Sequence, residues 1–232
     1  MYKTLFIDLD DTLWAFSENA EDTFRELYDR HRFGRYFDTF DHFYALYRRR
    51  NTELWAEYAD GLVTKEQLND ERFAYPLRAV GVDDPRLIRR YADEFLALIP
   101  TRTKLMPHAR EALEHLAAAG HHLHILSNGF RELQERKMRA AGILHYFRRI
   151  ILSEDIGVHK PHAAIFHFAL SAAQADLRTS LMIGDSWEAD ICGAHAVGMP
   201  QMYYDPARRD TPLPFRPTHR LHSWADIAAT GL

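Results

Sequence analysis

The 232 residues are 47% hydrophobic and 27% charged, ordinary globular usage that excludes a disordered or fibrous chain. That length holds one good-sized core, or a core with a smaller insert. The formal net charge of −4, with acids and bases intermixed, leaves no basic face for a nucleic-acid polymer, and the single cysteine, Cys192, excludes an internal disulfide and any multi-cysteine metal site.

In chain order, residues 2 to 8 form a short apolar run closed by polar residues and predict a buried strand. Lys3 and Asp8 bracket that run too closely for a signal-peptide core or a membrane span, so a cytoplasmic protein without a membrane partner is expected. From about residue 15 to 98 no convincing strand appears. Phe40, Phe43, Tyr44, Tyr47, Leu54, Trp55 and Tyr58 recur at roughly three-and-four spacing up to Gly61. A second helical stretch runs from a capping Thr64 through Leu68 and Leu77, with Pro76 as its kink. The segment predicts an inserted bundle of about four helices, and its connections near residues 13 to 17 and 99 to 106 are natural hinges for a lid.

Beyond the insert, Pro107 to Ala119 predicts a helix stopped at Gly120, and Arg131 to Ala141 another stopped at Gly142. Residues 122 to 127, 149 to 153, 180 to 184 and 200 to 204 predict further buried strands. The polar, proline-rich stretch through Arg208 and Arg209 to Pro217 reads as a surface loop before a last short helix. Repeats and low-complexity segments are absent. Strand and helix in alternation predict an α/β fold, a parallel sheet with right-handed crossovers covered on both faces.

The strand ends carry the chemistry. The first reads Phe6-Ile7-Asp8-Leu9-Asp10-Asp11-Thr12, placing Asp8 and Asp10 at the edge where open α/β sheets bind ligands, although acids also end strands simply to begin turns. The second ends Ser127-Asn128-Gly129 at a helix start, where a serine binds a phosphate oxygen or caps the helix. After the third comes Gly157-Val158-His159-Lys160-Pro161, and the fourth ends Gly184-Asp185-Ser186 with Asp190 in the next helix. Singly, these are a solvated lysine and acids near a helix start. Together, four successive strand ends bring carboxylates, a hydroxyl, an ammonium and further carboxylates to one sheet edge. Clustered acids repel and need a cation, and hard oxygen ligands without histidine or thiolate favour Mg²⁺. A phosphate monoester would bridge such a site.

Asp8-x-Asp10-x-Thr12, Ser127, Lys160-Pro161 and Gly184-Asp185-x4-Asp190 resemble, in order, the four motifs of the haloacid dehalogenase superfamily, over Tyr2 to about Asp205. The resemblance implies a Rossmann-like three-layer α/β/α core of residues 1–14 and 100–232, with an α-helical cap of residues 15–99. It implies that Asp8 is the nucleophile and Asp10 the acid and base. Asp8, the Asp10 backbone carbonyl and Asp185 would hold Mg²⁺, with Asp190 ligating directly or through water. Thr12, Ser127, Asn128 and Lys160 would bind the phosphoryl oxygens. Asp10 separates this chain from the dehalogenases, which do not carry an aspartate two residues after the nucleophile. A signalling receiver would need its phosphorylated aspartate after the third strand, where no suitable acid precedes Lys160.

Within the superfamily the chain is similar to the pyrimidine 5′-nucleotidase group, through Leu54-Trp55-Ala56-Glu57-Tyr58-Ala59-Asp60-Gly61, Ser127-Asn128-Gly129-Phe130 and the segment from Ser153 to Pro161. The implied partner is a small phosphorylated metabolite, a nucleoside monophosphate, bound by a monomer or homodimer. A sugar-phosphate phosphatase, a phosphomutase and a non-catalytic Mg²⁺ and phosphate binder are the alternatives. Trp14 and Phe16 are candidates to line the entrance, and Tyr44, Trp55 and Tyr58 to stack on a base, although helix-spaced aromatics also serve as core. Ala15 stands where many relatives carry an acid. His121, His122 and His124 alternate along a strand start with no acid or thiolate to complete a metal site, and read as structural. Trp187 reads as packing or a substrate contact, and Cys192 as a buried apolar side chain.

Overall fold

The structure, a computed structural model, describes residues 2–208 and 212–232; Arg209 lies outside them. The chain divides into two compact units, Met1–Phe16 with Thr103–Leu232, and Ser17–Arg102. The helices, in chain order, are α1 (Phe16–Arg30), α2 (Phe40–Ala59), α3 (Lys65–Ala79), α4 (Pro85–Leu98), α5 (Ala109–Ala118), α6 (Arg131–Ala140), α7 (Ala163–Ala173) and α8 (Gly193–Ala196). Among the described residues, none is long and apolar enough to cross a membrane.

In the first unit the described residues form a six-stranded sheet from β1 (Thr4–Ile7), β2 (His122–Ser127), β3 (Phe147–Leu152), β4 (Ser180–Gly184), β5 (Gln201–Tyr204) and β6 (His219–Leu221). Every pairing is parallel and the order is β3-β2-β1-β4-β5-β6. β1 is central and its side chains are buried throughout, which its apolar run requires. Ile7, the last residue of β1, pairs with Ile125 on one side and Ile183 on the other, which sets these three residues level. Asp8 therefore stands one residue beyond that line, and Ser127 and Asp185 two residues beyond it. The order reverses between β1 and β4, the switch point at which a ligand crevice forms.

Alternation along β1 gives each face one set of side chains. Phe6 joins Leu126, Ile151, Met182, Ile165 and Phe166 in a buried cluster with α7 and α8. α5 packs on β2 and on the 3₁₀ segment Trp224–Thr230. His124 is buried beside the Phe6 ring, and burial first, then the neighbouring His122, Arg148 and Arg149, push its imidazole down to about 4, so it is neutral as a core residue. Several bounds differ from the reading of the sequence by one or two residues. β3 starts at Phe147 rather than residue 149, and β6, three residues long, carries too little alternation to register as a strand.

The second unit is built around α1 to α4. Phe24 stacks on Phe95 at 4.2 Å and packs on Tyr47 at 4.1 Å, with Phe43, Phe73 and Tyr91 buried around them. Thr64 and Gln67 form a reciprocal capping box that starts α3, and Asp84 caps α4 with Pro85 at its first position. α3 runs through Pro76 to Ala79. Tyr44 is buried against Phe40 and Phe24 and donates to the Ser17 carbonyl, which makes it core rather than a stacking face. Trp55 and Tyr58 are half-buried, ring edge to face at 5.9 Å.

Trp224 ties the C-terminal segment to the first strand's loop, since its Nε1 donates to the Thr12 carbonyl at 2.7 Å in a buried setting. Trp224→Phe keeps an aromatic ring, though a smaller one, and strands that carbonyl, so thermal or urea unfolding should show a loss of at least about 1–3 kcal/mol. An unchanged midpoint would mean that the loop is held by other contacts.

Candidate active site

The loop after β1 folds back on itself: Leu13 and Trp14 donate to the Leu9 carbonyl at 3.0 and 2.8 Å, and Asp11 adopts a left-handed φ of 58°, which aspartate tolerates. This turn holds Asp8 buried and Asp10 half-buried. Lys160, 3% exposed, supplies the pivot. Its Nζ donates to Asp8 Oδ1 at 2.7 Å, Asp190 Oδ1 at 2.6 Å and the Leu126 carbonyl at 2.7 Å. All three ammonium protons are thereby committed. Burial acts to lower its pKa, but Asp190 and Asp8 outweigh that and the net direction is up.

Asp185 completes the group. Carboxylate oxygens of Asp8, Asp185 and Asp190 lie within 4.8 Å of one another. At that separation each pair of ionised carboxylates repels by roughly 3–4 kcal/mol at an effective dielectric of about 20. Three carboxylates against one ammonium leave a surplus of two negative charges, which a divalent cation with oxygen preference neutralises. In its absence protons are drawn in. Burial first, then Asp190 and Asp185 against the opposing pull of Lys160, holds the Asp8 carboxyl well above the usual range. Burial and Asp190 push Asp185 up to about 7. Asp190 is anchored through the backbone N–H of Ser186 to its Oδ2 at 3.1 Å. Gly184 is obligatory there, because a Cβ would stand 2.1 Å from Asp190 Oδ2.

Ser127, 2% exposed, accepts from Gly129 N–H at 3.1 Å and from Gln134 Nε2 at 2.8 Å. Both lone pairs are used, which leaves its own proton to donate. Three residues expected on the phosphoryl group are turned elsewhere, the first being Lys160, whose three protons go to Asp8, Asp190 and the Leu126 carbonyl. Thr12 is fully buried and its hydroxyl donates to Asp185 Oδ1 at 2.8 Å while accepting from the Asp185 N–H at 3.0 Å, so it orients a carboxylate. The Asn128 amide clamps the Lys160 backbone, accepting from its N–H at 2.8 Å and donating to its carbonyl at 3.0 Å across a cis Lys160–Pro161 peptide.

Trp14, expected at an entrance, is 0% exposed and cannot present its face to a ligand. Its ring and that of the half-buried Phe16 lie 4.8 and 5.2 Å from the Lys137 ammonium. Lys137 donates to Asp10 Oδ1 at 2.8 Å and Gln134 Nε2 to Asp10 Oδ2 at 2.9 Å. Neither residue stands in a sequence motif identified above. The available signal was their position: Gln134, Lys137 and Met138 form the buried stripe of α6, where polar side chains are out of place unless they have a task. Trp187 packs on Tyr203 and Phe215. Cys192 is half-buried, more exposed than expected. The three histidines of the β2 start form no metal-binding group among the described residues.

A family model described as haloacid dehalogenase-like hydrolase matches residues 2–198. The chain belongs to this family. It is 30% identical to the pyrimidine 5′-nucleotidase YjjG of Escherichia coli K12 over 228 residues, covering 96% of this chain and 95% of the relative. It is 31% identical over 208 residues to a glyceraldehyde 3-phosphate phosphatase of Pyrococcus abyssi, covering 88% and 82%. The crystal structure of Bacillus subtilis YfnB bound to magnesium superposes with a TM-score of 0.86 at 24% identity, covering 99% and 98%, which bears on the fold. The chain is thus an enzyme of the phosphatase type within the haloacid dehalogenase-like hydrolases.

The Asp185 shift has a definite sign. A folded-state value near 7 lies above the ordinary 3.8, so the folded protein binds this proton more tightly than the unfolded chain, and stability falls as pH rises through that interval. In metal-free protein, Asp185→Asn should therefore raise the melting temperature more at pH 8 than at pH 5. A pH-independent difference would mean that Asp185 titrates normally.

Proposed function

We propose that this enzyme is a Mg²⁺-dependent phosphomonoesterase that works through an aspartyl-phosphate on Asp8 and acts in the cytoplasm on nucleoside 5′-monophosphates. The observation that carries the reading is the Lys160 ammonium bridging Asp8 and Asp190 with the Asp185 carboxylate beside them. An all-oxygen donor set with a surplus of two charges fits Mg²⁺, which Asp8, Asp185 and the Asp10 backbone carbonyl would hold, with Asp190 ligating directly or through water. When bound, the ion offsets repulsion between the nucleophile and the phosphoryl oxygens.

Asp8 attacks phosphorus, forming its O–P bond as the ester oxygen leaves. Asp10 gives its proton to that oxygen. In the second half, Asp10 takes a proton from water as the water oxygen bonds phosphorus and the Asp8 carboxylate departs, acid–base work worth ~10²–10⁴-fold. Lys160 pulls against protonation of Asp8, and the Ser127 hydroxyl donates to a phosphoryl oxygen. Thr12 and Asn128 hold Asp185 and Lys160 in place.

The nucleotide preference rests on the likeness to the E. coli nucleotidase, which spans both chains nearly end to end. In this reading the unit Ser17–Arg102 is the substrate-selecting cap, and half-buried Trp55 and Tyr58 offer the base a ring face. The likeness to the P. abyssi phosphatase supports a second reading, a sugar or triose phosphate as substrate.

Purified protein with Mg²⁺ should hydrolyse p-nitrophenyl phosphate, and Asp8→Asn should reduce this to background while keeping the wild-type circular dichroism spectrum. Equal rates for the two would defeat the assignment. Mg²⁺ should raise the wild-type melting temperature, and Asp185→Asn should blunt that rise. In a panel of dUMP, UMP, dTMP and sugar phosphates, faster phosphate release from the nucleotides supports the nucleotidase reading, and faster release from glyceraldehyde 3-phosphate supports the second.

A further inference from the structure

Asp10 is held at both carboxylate oxygens, as Asp190 is by Lys160 and the Ser186 N–H, but here by two side chains of one helix. Each oxygen has its own donor, Lys137 Nζ on Oδ1 at 2.8 Å and Gln134 Nε2 on Oδ2 at 2.9 Å, and both donors come from one face of α6, three residues apart. Two points of attachment fix the plane of a carboxylate, where one leaves it free to swing. The donors are themselves fixed. Gln134 is 0% exposed and Lys137 3% exposed, and the Lys137 ammonium lies within 4.8 Å of the Trp14 ring centre and 5.2 Å of that of Phe16.

Gln134 has a second duty. Its Nε2 also donates to Ser127 Oγ at 2.8 Å, so one amide nitrogen spans the carboxylate and the hydroxyl. Gly129 makes room for it: a Cβ at that position would stand 2.1 Å from Gln134 Nε2. The amide orientation follows from its partners, because the reverse would aim its oxygen at the Asp10 carboxylate. In the orientation present, Gln134 Oε1 is buried without a hydrogen-bond partner. The amide nitrogen thus serves Asp10 and Ser127 at once.

We infer that Gln134 and Lys137 are positioning residues for phosphoryl transfer, setting the Asp10 carboxyl at the leaving oxygen and directing the Ser127 proton toward the phosphoryl group. The inference rests on the proposed role of Asp10. The step served is the first half-reaction: the Asp8 O–P bond forms, the P–O bond to the leaving group breaks, and the Asp10 proton passes to the departing oxygen. A poor leaving group, an alkoxide, depends on that proton, and p-nitrophenolate departs without it.

The test is the rate of phosphoenzyme formation in single turnover with two donors. One is p-nitrophenyl phosphate, and the other is UMP or glyceraldehyde 3-phosphate, whichever wild type turns over faster. Lys137→Met and Gln134→Leu should lower the rate with the alkyl ester by about 10²-fold, lower it with p-nitrophenyl phosphate by less than about tenfold, and change KM little. Lys137→Arg should restore part of the loss. Gly129→Ala displaces the Gln134 amide without removing a polar group and should show the same donor dependence, which keeps the test open where a buried substitution unfolds the chain. Equal losses with both donors in these variants would reduce the pair to packing and overturn the inference. Asp10→Asn is the control that separates the two claims. If it shows donor dependence and the α6 variants do not, the inference fails and the role of Asp10 stands. If Asp10→Asn itself shows none, the acid role of Asp10 falls and the inference falls with it.

Discussion

A buried ammonium among three carboxylates is the interaction on which the site depends. Lys160 follows β3, yet its three protons reach the carboxylate after β1, the carbonyl of Leu126 in β2 and the carboxylate of Asp190 beyond β4. It acts as a strut between strand ends that would otherwise carry only mutual repulsion. One lysine is not enough for three acids, and the remaining imbalance suits the site to a hard divalent cation. The raised values of Asp8 and Asp185 express the same deficit in protons. Groups that stabilise a fold rarely converge this way, because burying like charges is unfavourable unless a ligand compensates.

The parallel sheet makes most of this legible in the sequence. Apolar runs closed by polar residues locate strand ends, and parallel pairing at level register puts consecutive strand ends side by side, so Asp8, Ser127 and Asp185 converge although 119 and 177 residues separate the second and third from the first. What the pattern of residues does not carry is the direction in which each polar group points. Thr12 and Asn128 occupy motif positions beside the sheet edge where a phosphoryl group was expected, and either was as suited by type to an oxyanion as to a neighbour. The folded chain assigns them to Asp185 and to the Lys160 backbone. Trp14 follows the same logic: an aromatic residue beside a catalytic loop reads as a ligand contact, but a fully buried ring beside a lysine is scaffolding.

Gln134 and Lys137 mark a different limit. A helix whose inward stripe includes glutamine and lysine weakens the amphipathic signal instead of strengthening it, so a search for motifs at strand ends passes over them. Their partners lie 124 and 127 residues earlier, at Asp10. Trp224 is similar, since nothing near it in sequence announces a hydrogen bond to Thr12. In the unit Ser17–Arg102 the obstacle is degeneracy. Aromatic residues at helical spacing produce the same pattern whether they fill a core, as Phe43, Tyr44 and Tyr47 do, or stand half-buried, as Trp55 and Tyr58 do.

The central claim is that one of the acids at the sheet edge becomes covalently phosphorylated, and that the strut and the cation exist to make that acid nucleophilic. Rapid acid quenching of wild type with a ³²P-labelled phosphomonoester, followed by peptide mapping of the acyl-phosphate, tests it directly. The account predicts transient label on the peptide that contains Asp8. Phosphate release with no labelled protein at any time, or label on a different residue, would contradict it.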